Sequence, residues 1–168
     1  MENPLAIANF FIKKSLETGI PVTNMKLVKL VYIAHGWYLG LTGQPLIGEG
    51  AEAWKYGPVI PSIYYSFNTY GGNPINQIAY TITPSGQTSN YPLSDPSLNE
   101  FLDKVWDVYS GYSAIELSAF THQENTPWNE TWNKGGGSST NGVVIPNEAI
   151  KSHYEQLAKI NMKSNAVA

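Results

Sequence analysis

With 168 residues, 42% of them hydrophobic and 14% charged, the chain is long enough to bury a core without staples and too apolar to be disordered. It has no cysteine, which excludes a disulfide framework, a thiol nucleophile and cysteine-bound zinc, and suits a reducing cytoplasm. The net charge of −3 includes ten basic residues, all lysine; without arginine's planar fork, a dedicated DNA- or RNA-binder is disfavoured.

The opening residues lack a basic stretch followed by a long apolar run, so no secretory signal is expected. No segment reaches the roughly 18 apolar residues of a membrane span. Asn3 and Pro4 read as cap and first residue of a helix carrying Leu5, Ala8, Phe11, Ile12 and Leu16, ended by Gly19 and Pro21. Thr23 or Asn24 caps a second helix, to about Leu41, with Leu27, Leu30, Val31, Ala34, Tyr38 and Leu41 on one face. Val28, Tyr32 and Leu39 fill much of the rest, so this helix is expected to be central and buried.

A short hairpin is expected near 45–56, with a strand-like run that breaks at Gly57-Pro58. Pro61 then opens a short helix bearing Ile63, Tyr64, Phe67 and Tyr70, stopped by Gly71-Gly72. Ile78, Tyr80 and Ile82 alternate as a strand would, inside a stretch (73–96) that otherwise reads as loop. A helix from Ser97 to Gly111 carries Leu98, Phe101, Leu102, Val105, Val108 and Tyr109. Ser113 and Glu116 form a capping box ahead of Ile115, Leu117 and Phe120. Thr126-Pro127 starts another short helix with Trp128 and Trp132, residues 134–144 read as a flexible loop, and Asn147 caps a last helix with Ile150, Tyr154, Leu157 and Ile160 inward. The expected fold is mainly α with a small β element (α+β), a single-domain helical bundle over 1–168 around the central helix 24–41.

Chemistry is sparse. His35 reads as a core histidine, since no carboxylate or second histidine stands three or four residues away. His153 reads as solvent-facing. His122 sits at a helix C-terminus, where the dipole favours a cation, and with Glu124 it offers the one candidate acid–base pair of a small hydrolase. There is no nucleophile elbow, zinc motif or phosphate loop, so no catalytic residue, metal or cofactor is expected. Lys26 and Lys29 interrupt the apolar helix and read as snorkelling surface lysines, or as cations meeting Glu52, Glu116 or a partner's carboxylates. Trp37, Trp54, Trp128 and Trp132 read more readily as core than as interface, although tryptophan and tyrosine anchor interfaces when partly exposed and the run 52–67 supplies a rigid corner whose aromatics suit a contact surface.

Several segments match one pattern. Met25 to Trp37 (MKLVKLVYIAHGW) resembles the helix signature of the Panacea domain family, the SocA-like and phage-associated antitoxins. Glu52 to Pro61 (EAWKYGPVIP) is similar to its second signature, and Leu117-Ser118, Thr121-His122 and Pro127-Trp128 to its third. Ile145-Pro146, Ile150 and Tyr154 resemble its C-terminal helix. The resemblance implies a mainly helical domain of bacteria and phages that neutralises a toxin encoded beside it, by direct binding or by delivery to a Clp-type protease. Partner contacts are accordingly expected at Lys26, Lys29, Trp54, Lys55, Tyr56, Thr121, His122 and Trp128. Where relatives often carry arginine after the third signature, this chain offers Lys134, and 73–95 is longer than the family's minimal form. An enzyme using His122 and Glu124, and a nucleic-acid-binding regulator, are the competing classes.

Overall fold

A computed structural model describes residues 1–167. Caps written in the sequence set the first two helices. Asn3 Oδ1 accepts the Leu5 N–H at 2.9 Å and Pro4 occupies the first turn, so α1 (Pro4–Thr18) begins there and closes on left-handed Gly19. The Thr23 hydroxyl accepts from Lys26 N to start α2 (Asn24–Thr42), which Gly43 ends in the same way. Apolar on nearly every side, α2 is the axis of the molecule: Leu27, Leu30, Val31 and Ala34 are completely buried, and α1 and four later helices pack against it.

Its longest contact is with α7 (Asn147–Val167), and two glycines permit it. A Cβ at Gly36 would collide with the Tyr154 ring, and one at Gly40 would lie 2.8 Å from Tyr154 Cβ and 2.9 Å from its backbone carbon. Without side chains there, the two helices approach closely enough to bury Tyr154 and stand its ring edge-on to Trp37. The remaining helices are α3 (Pro61–Phe67), extended by a 3₁₀ turn at Asn68–Tyr70, α4 (Leu98–Tyr109), α5 (Ala114–Thr121) and α6 (Pro127–Asn133). Ser113 and Glu116 form the anticipated capping box, and the Thr126 hydroxyl caps α6. The fold is mainly α with a small β element, as expected.

The β element lies later than expected. β1 (Glu52–Trp54) pairs antiparallel with β2 (Gly57–Val59), Trp54 facing Gly57, so the turn is Lys55–Tyr56 and Gly57-Pro58 opens the second strand instead of ending the first. Gly57 needs its glycine twice over: its φ is 114°, and a Cβ would stand 2.8 Å from Lys29 Nζ. Chain from 143–145 flanks β1, with Ala53 N donating to Val143 O and Ile145 N to Ala51 O. A second two-residue pair, β3 (Thr81–Ile82) with β4 (Thr88–Ser89), replaces the single strand expected through Ile78 and Tyr80. Ile82 is exposed, as are Leu16, Leu41, Val108, Ile115, Phe120 and Ile160, which the helical pattern counts among the apolar faces.

The 73–96 segment is tied to α1. Buried Asn9 donates from Nδ2 to Ala79 O (2.8 Å) and Asn90 O (2.9 Å), and its Oδ1 accepts from Ala79 N at 2.7 Å. Glu2 takes three hydrogen bonds, from Ser94 N, Ser94 Oγ and Asp95 N. Burial alone would raise its carboxyl; those bonds outweigh it and hold the pKa below the ordinary value. Removing the Asn9 amide strands three backbone groups at once. Asn9→Ala is therefore expected to cost about 1–3 kcal/mol and to speed amide exchange at Ala79, leaving α2 protected; unchanged exchange there would refute the tether.

Candidate functional site

The β1–β2 turn projects from the bundle and is clamped from behind. Trp128 Nε1 donates to Trp54 O at 2.7 Å, and Ser118 Oγ donates to Tyr56 O at 2.7 Å. From below, Lys29 Nζ donates to Pro58 O at 2.9 Å. Three carbonyls of one five-residue stretch, 54–58, are thus held by side chains from α6, α5 and α2. These are the segments whose motifs stood far apart in the chain. Trp54 also anchors its own strand, giving its indole N–H to Glu52 Oε2 at 2.7 Å.

The clamp presents an aromatic edge. Trp54 meets Tyr64 edge-on at 4.9 Å, and Tyr65 lies edge-on to Tyr64 and tilted to Trp54. Tyr56 is 66% exposed, with the Lys55 ammonium 5.3 Å from its ring centre. Beneath this edge runs a groove of about 610 Å³, floored by Val28, Lys29 and Val59 and walled by Trp54, Tyr56 and Tyr64. A second groove, of about 500 Å³, opens on the other side of the hairpin between Tyr65 and Trp132, so Trp54 and Lys55 form a ridge between two hollows. Tyr64 and Tyr65 carry no expected site role; the signal for them is a tandem of tyrosines three residues past the second signature.

The anticipated contact residues divide into groups. Lys29, Trp54, Lys55 and Tyr56 line the first groove. Thr121, His122 and Trp128 support it from behind. Thr121 is buried, its hydroxyl bonded to Leu117 O and Ser118 O, and it lies 3.5 Å from where a Gly57 Cβ would stand. His122 Nδ1 approaches Ser118 Oγ at 3.4 Å, and its ring stands edge-on to Trp128 at 5.3 Å. Lys26 lies apart, its ammonium donating to Ser110 O at 2.6 Å, the carbonyl at the end of α4 where a cation is favoured.

The expectation of snorkelling lysines is corrected here. Lys26 and Lys29 are 6% and 1% exposed, because a helix covered on all sides leaves no nearby solvent for a four-carbon stem to reach. Burial lowers the pKa of both amines, that of Lys29 to about 7. Neither meets Glu52 or Glu116, which serve Trp54 and the α5 cap.

The histidines also sort out. His35 is fully buried: Ile47 N donates to its Nδ1 at 3.5 Å, which leaves the proton on Nε2 to reach Asn147 Oδ1 at 3.0 Å. Burial lowers its pKa, and the Asn147 bond only partly offsets this. His153, expected in solvent, is half-buried edge-on to Tyr154, and burial lowers its pKa as well. Glu124 lines a groove with His153 on the α7 side, whereas His122 packs against Ser118 and Trp128.

Comparison with known proteins bears on the same residues. The family described as "Antitoxin SocA-like, Panacea domain" matches residues 27–129, more than half of the chain and every anticipated contact residue except Lys26. The chain is 32% identical over 151 residues to Antitoxin SocA of Caulobacter vibrioides (strain NA1000 / CB15N), covering 89% of this chain and 80% of that protein. No solved structure matches. The clamped hairpin is therefore a feature of a chain that belongs to the SocA-like antitoxin family built on the Panacea domain.

Proposed function

We propose that this protein is an antitoxin that silences a toxin protein by direct binding, with the hairpin ridge and the groove beneath it as the docking surface. One observation carries the reading: three separate signature segments converge to hold the Trp54–Tyr56 turn rigid while leaving Tyr56 two-thirds exposed. Rigid, half-exposed aromatics are what anchor protein interfaces, because they present large contact area at little entropic cost. The packing of His122 behind the turn supports binding over catalysis as the role. Among the described residues no helix is long and apolar enough to cross a membrane, and the cytoplasm is the proposed location.

Growth tests the proposal. Co-expression with the toxin encoded beside it should restore growth, with the two proteins co-eluting on a sizing column and the toxin present at full abundance. Tyr56→Ala should leave the unfolding midpoint within ~0.5 kcal/mol of the parent, because the residue is exposed, yet weaken the complex by about 2 kcal/mol or more. Full rescue by that variant with undiminished affinity would place the interface elsewhere.

A further inference from the structure

The first groove is lined mainly by apolar and aromatic side chains, with Thr23, Asn24 and Asn68 among them, and Lys29 stands 1% exposed at its floor. An ammonium has three N–H donors, and among the described residues the acceptor of Lys29 is Pro58 O alone. Among the described residues, ion pairs join Lys14 to Asp103, Lys104 to Glu100, Lys134 to Glu130 and Lys151 to Glu155; none reaches Lys29. A buried cation with no counter-ion is an expensive feature, and an apolar side chain of similar length would fill the same space without it. Lys55, at the rim, adds a second positive charge on the same side of the groove.

Resting on the toxin-binding reading, we propose that the groove takes a segment of the toxin that sets an Asp or Glu carboxylate on Lys29 while the adjoining aliphatic or aromatic side chain packs on Trp54 and Tyr64. Charge complementarity selects the acid: a single lysine ammonium in an apolar floor suits one carboxylate, and the chain has no arginine to fork a phosphate. In so desolvated a place the new bond is charge-assisted and strong, and it supplies the partner that the fold itself withholds from Lys29.

Two peptides blocked at both ends, N-acetyl-Phe-Glu-amide and N-acetyl-Phe-Gln-amide, test this on the full chain carrying isotope-labelled lysine. The Glu peptide is expected to shift the Lys29 side-chain resonances toward the charged form and to bind roughly tenfold tighter than the Gln peptide. In Lys29→Met the preference should vanish. Equal affinity of the two peptides for the parent protein, or a Lys29 signal indifferent to the Glu peptide, overturns the proposal without any variant having to fold. Growth rescue reads the antitoxin role separately: a chain that neutralises its toxin but ignores the carboxylate keeps that role and loses this inference.

Discussion

Trp128→Ala is expected to lower the unfolding free energy by about 3–5 kcal/mol, the range for removing a buried indole. Trp128 is 6% exposed, lies stacked on Trp132 at 5.5 Å and stands edge-on to His122. The truncation removes this packing and the N–H that satisfies Trp54 O. A second substitution separates the two contributions. Trp128→Phe keeps most of the ring volume but leaves the Trp54 carbonyl without its donor, an expected loss of about 1–2 kcal/mol. Urea denaturation gives the totals, and amide exchange shows where they fall. Both variants should speed exchange in 52–59 ahead of α2 or α7, because the hairpin holds only three residues per strand and depends on its clamps. If Trp128→Phe left hairpin exchange untouched, the indole bond would be incidental and the turn would owe its rigidity to Ser118 and Lys29. Toxin binding should weaken along with it, since a loosened ridge must be reordered before it can dock.

The parts of this fold legible in the sequence are those fixed by chemistry within a few residues. Asn3-Pro4, Thr23, Ser113 with Glu116, and Thr126-Pro127 each satisfy or dispense with orphan N–H groups at a helix start, and each begins a helix in the structure. Gly19 and Gly43 end helices by the same local logic. The hairpin was misplaced because its position depends on distant chain. Val143 and Ile145 flank β1 from one side, and Trp128 and Ser118 reach its turn from α6 and α5, so no window around residue 50 contains the deciding contacts. Likewise, β3 and β4 sit in a segment anchored by Asn9, some seventy residues earlier.

The candidate site shows the same division. Trp54, Lys55 and Tyr56 were legible as a rigid corner with exposed aromatics, because Gly57-Pro58 restricts the backbone beside them. Lys26 and Lys29 depart from the snorkelling expectation, although the sequence holds the clue. α2 is apolar nearly all round, and a lysine on such a helix has no surface to snorkel to. Its ammonium must find carbonyls inside, and those of Ser110 and Pro58 serve. Which carbonyls could not be deduced, since both belong to other elements. The close seam between α2 and α7 was half-written in Gly36 and Gly40, four apart on one helix face, but the ring that fills it comes from Tyr154 at the far end of the chain.

Lys29→Met should make the protein more stable and a poorer binder. In the fold the Lys29 amine titrates near pH 7 because burial disfavours its charge; in the unfolded chain it titrates near ~10.4. Between those values the unfolded state holds more protons, so this residue's contribution to stability rises with pH. Below about pH 7 it is charged in both states and its burial cost is fully present. Above ~10.4 it is neutral in both, and the cost is gone. The window corresponds to at most ~5 kcal/mol, and Met leaves Pro58 O without a donor, which takes back about 1–2 kcal/mol. The expected net gain is about 1–3 kcal/mol at pH 6, shrinking steadily toward pH 9.5. His35 and His153, also depressed by burial, weaken the fold in acid, but they do so equally in parent and variant and cancel in the comparison. Above pH ~10, Tyr32, Tyr109 and Tyr154, all raised by burial, ionise first in the unfolded chain and destabilise both proteins alike. Urea midpoints of the pair at pH 6, 8 and 9.5 therefore isolate Lys29. A variant less stable than its parent at pH 6 would mean that the charge is satisfied within the fold, and the groove floor would then have no call on a partner's carboxylate. A more stable variant that no longer holds its toxin would mean the opposite: the lysine weakens the free protein and is compensated only in the complex.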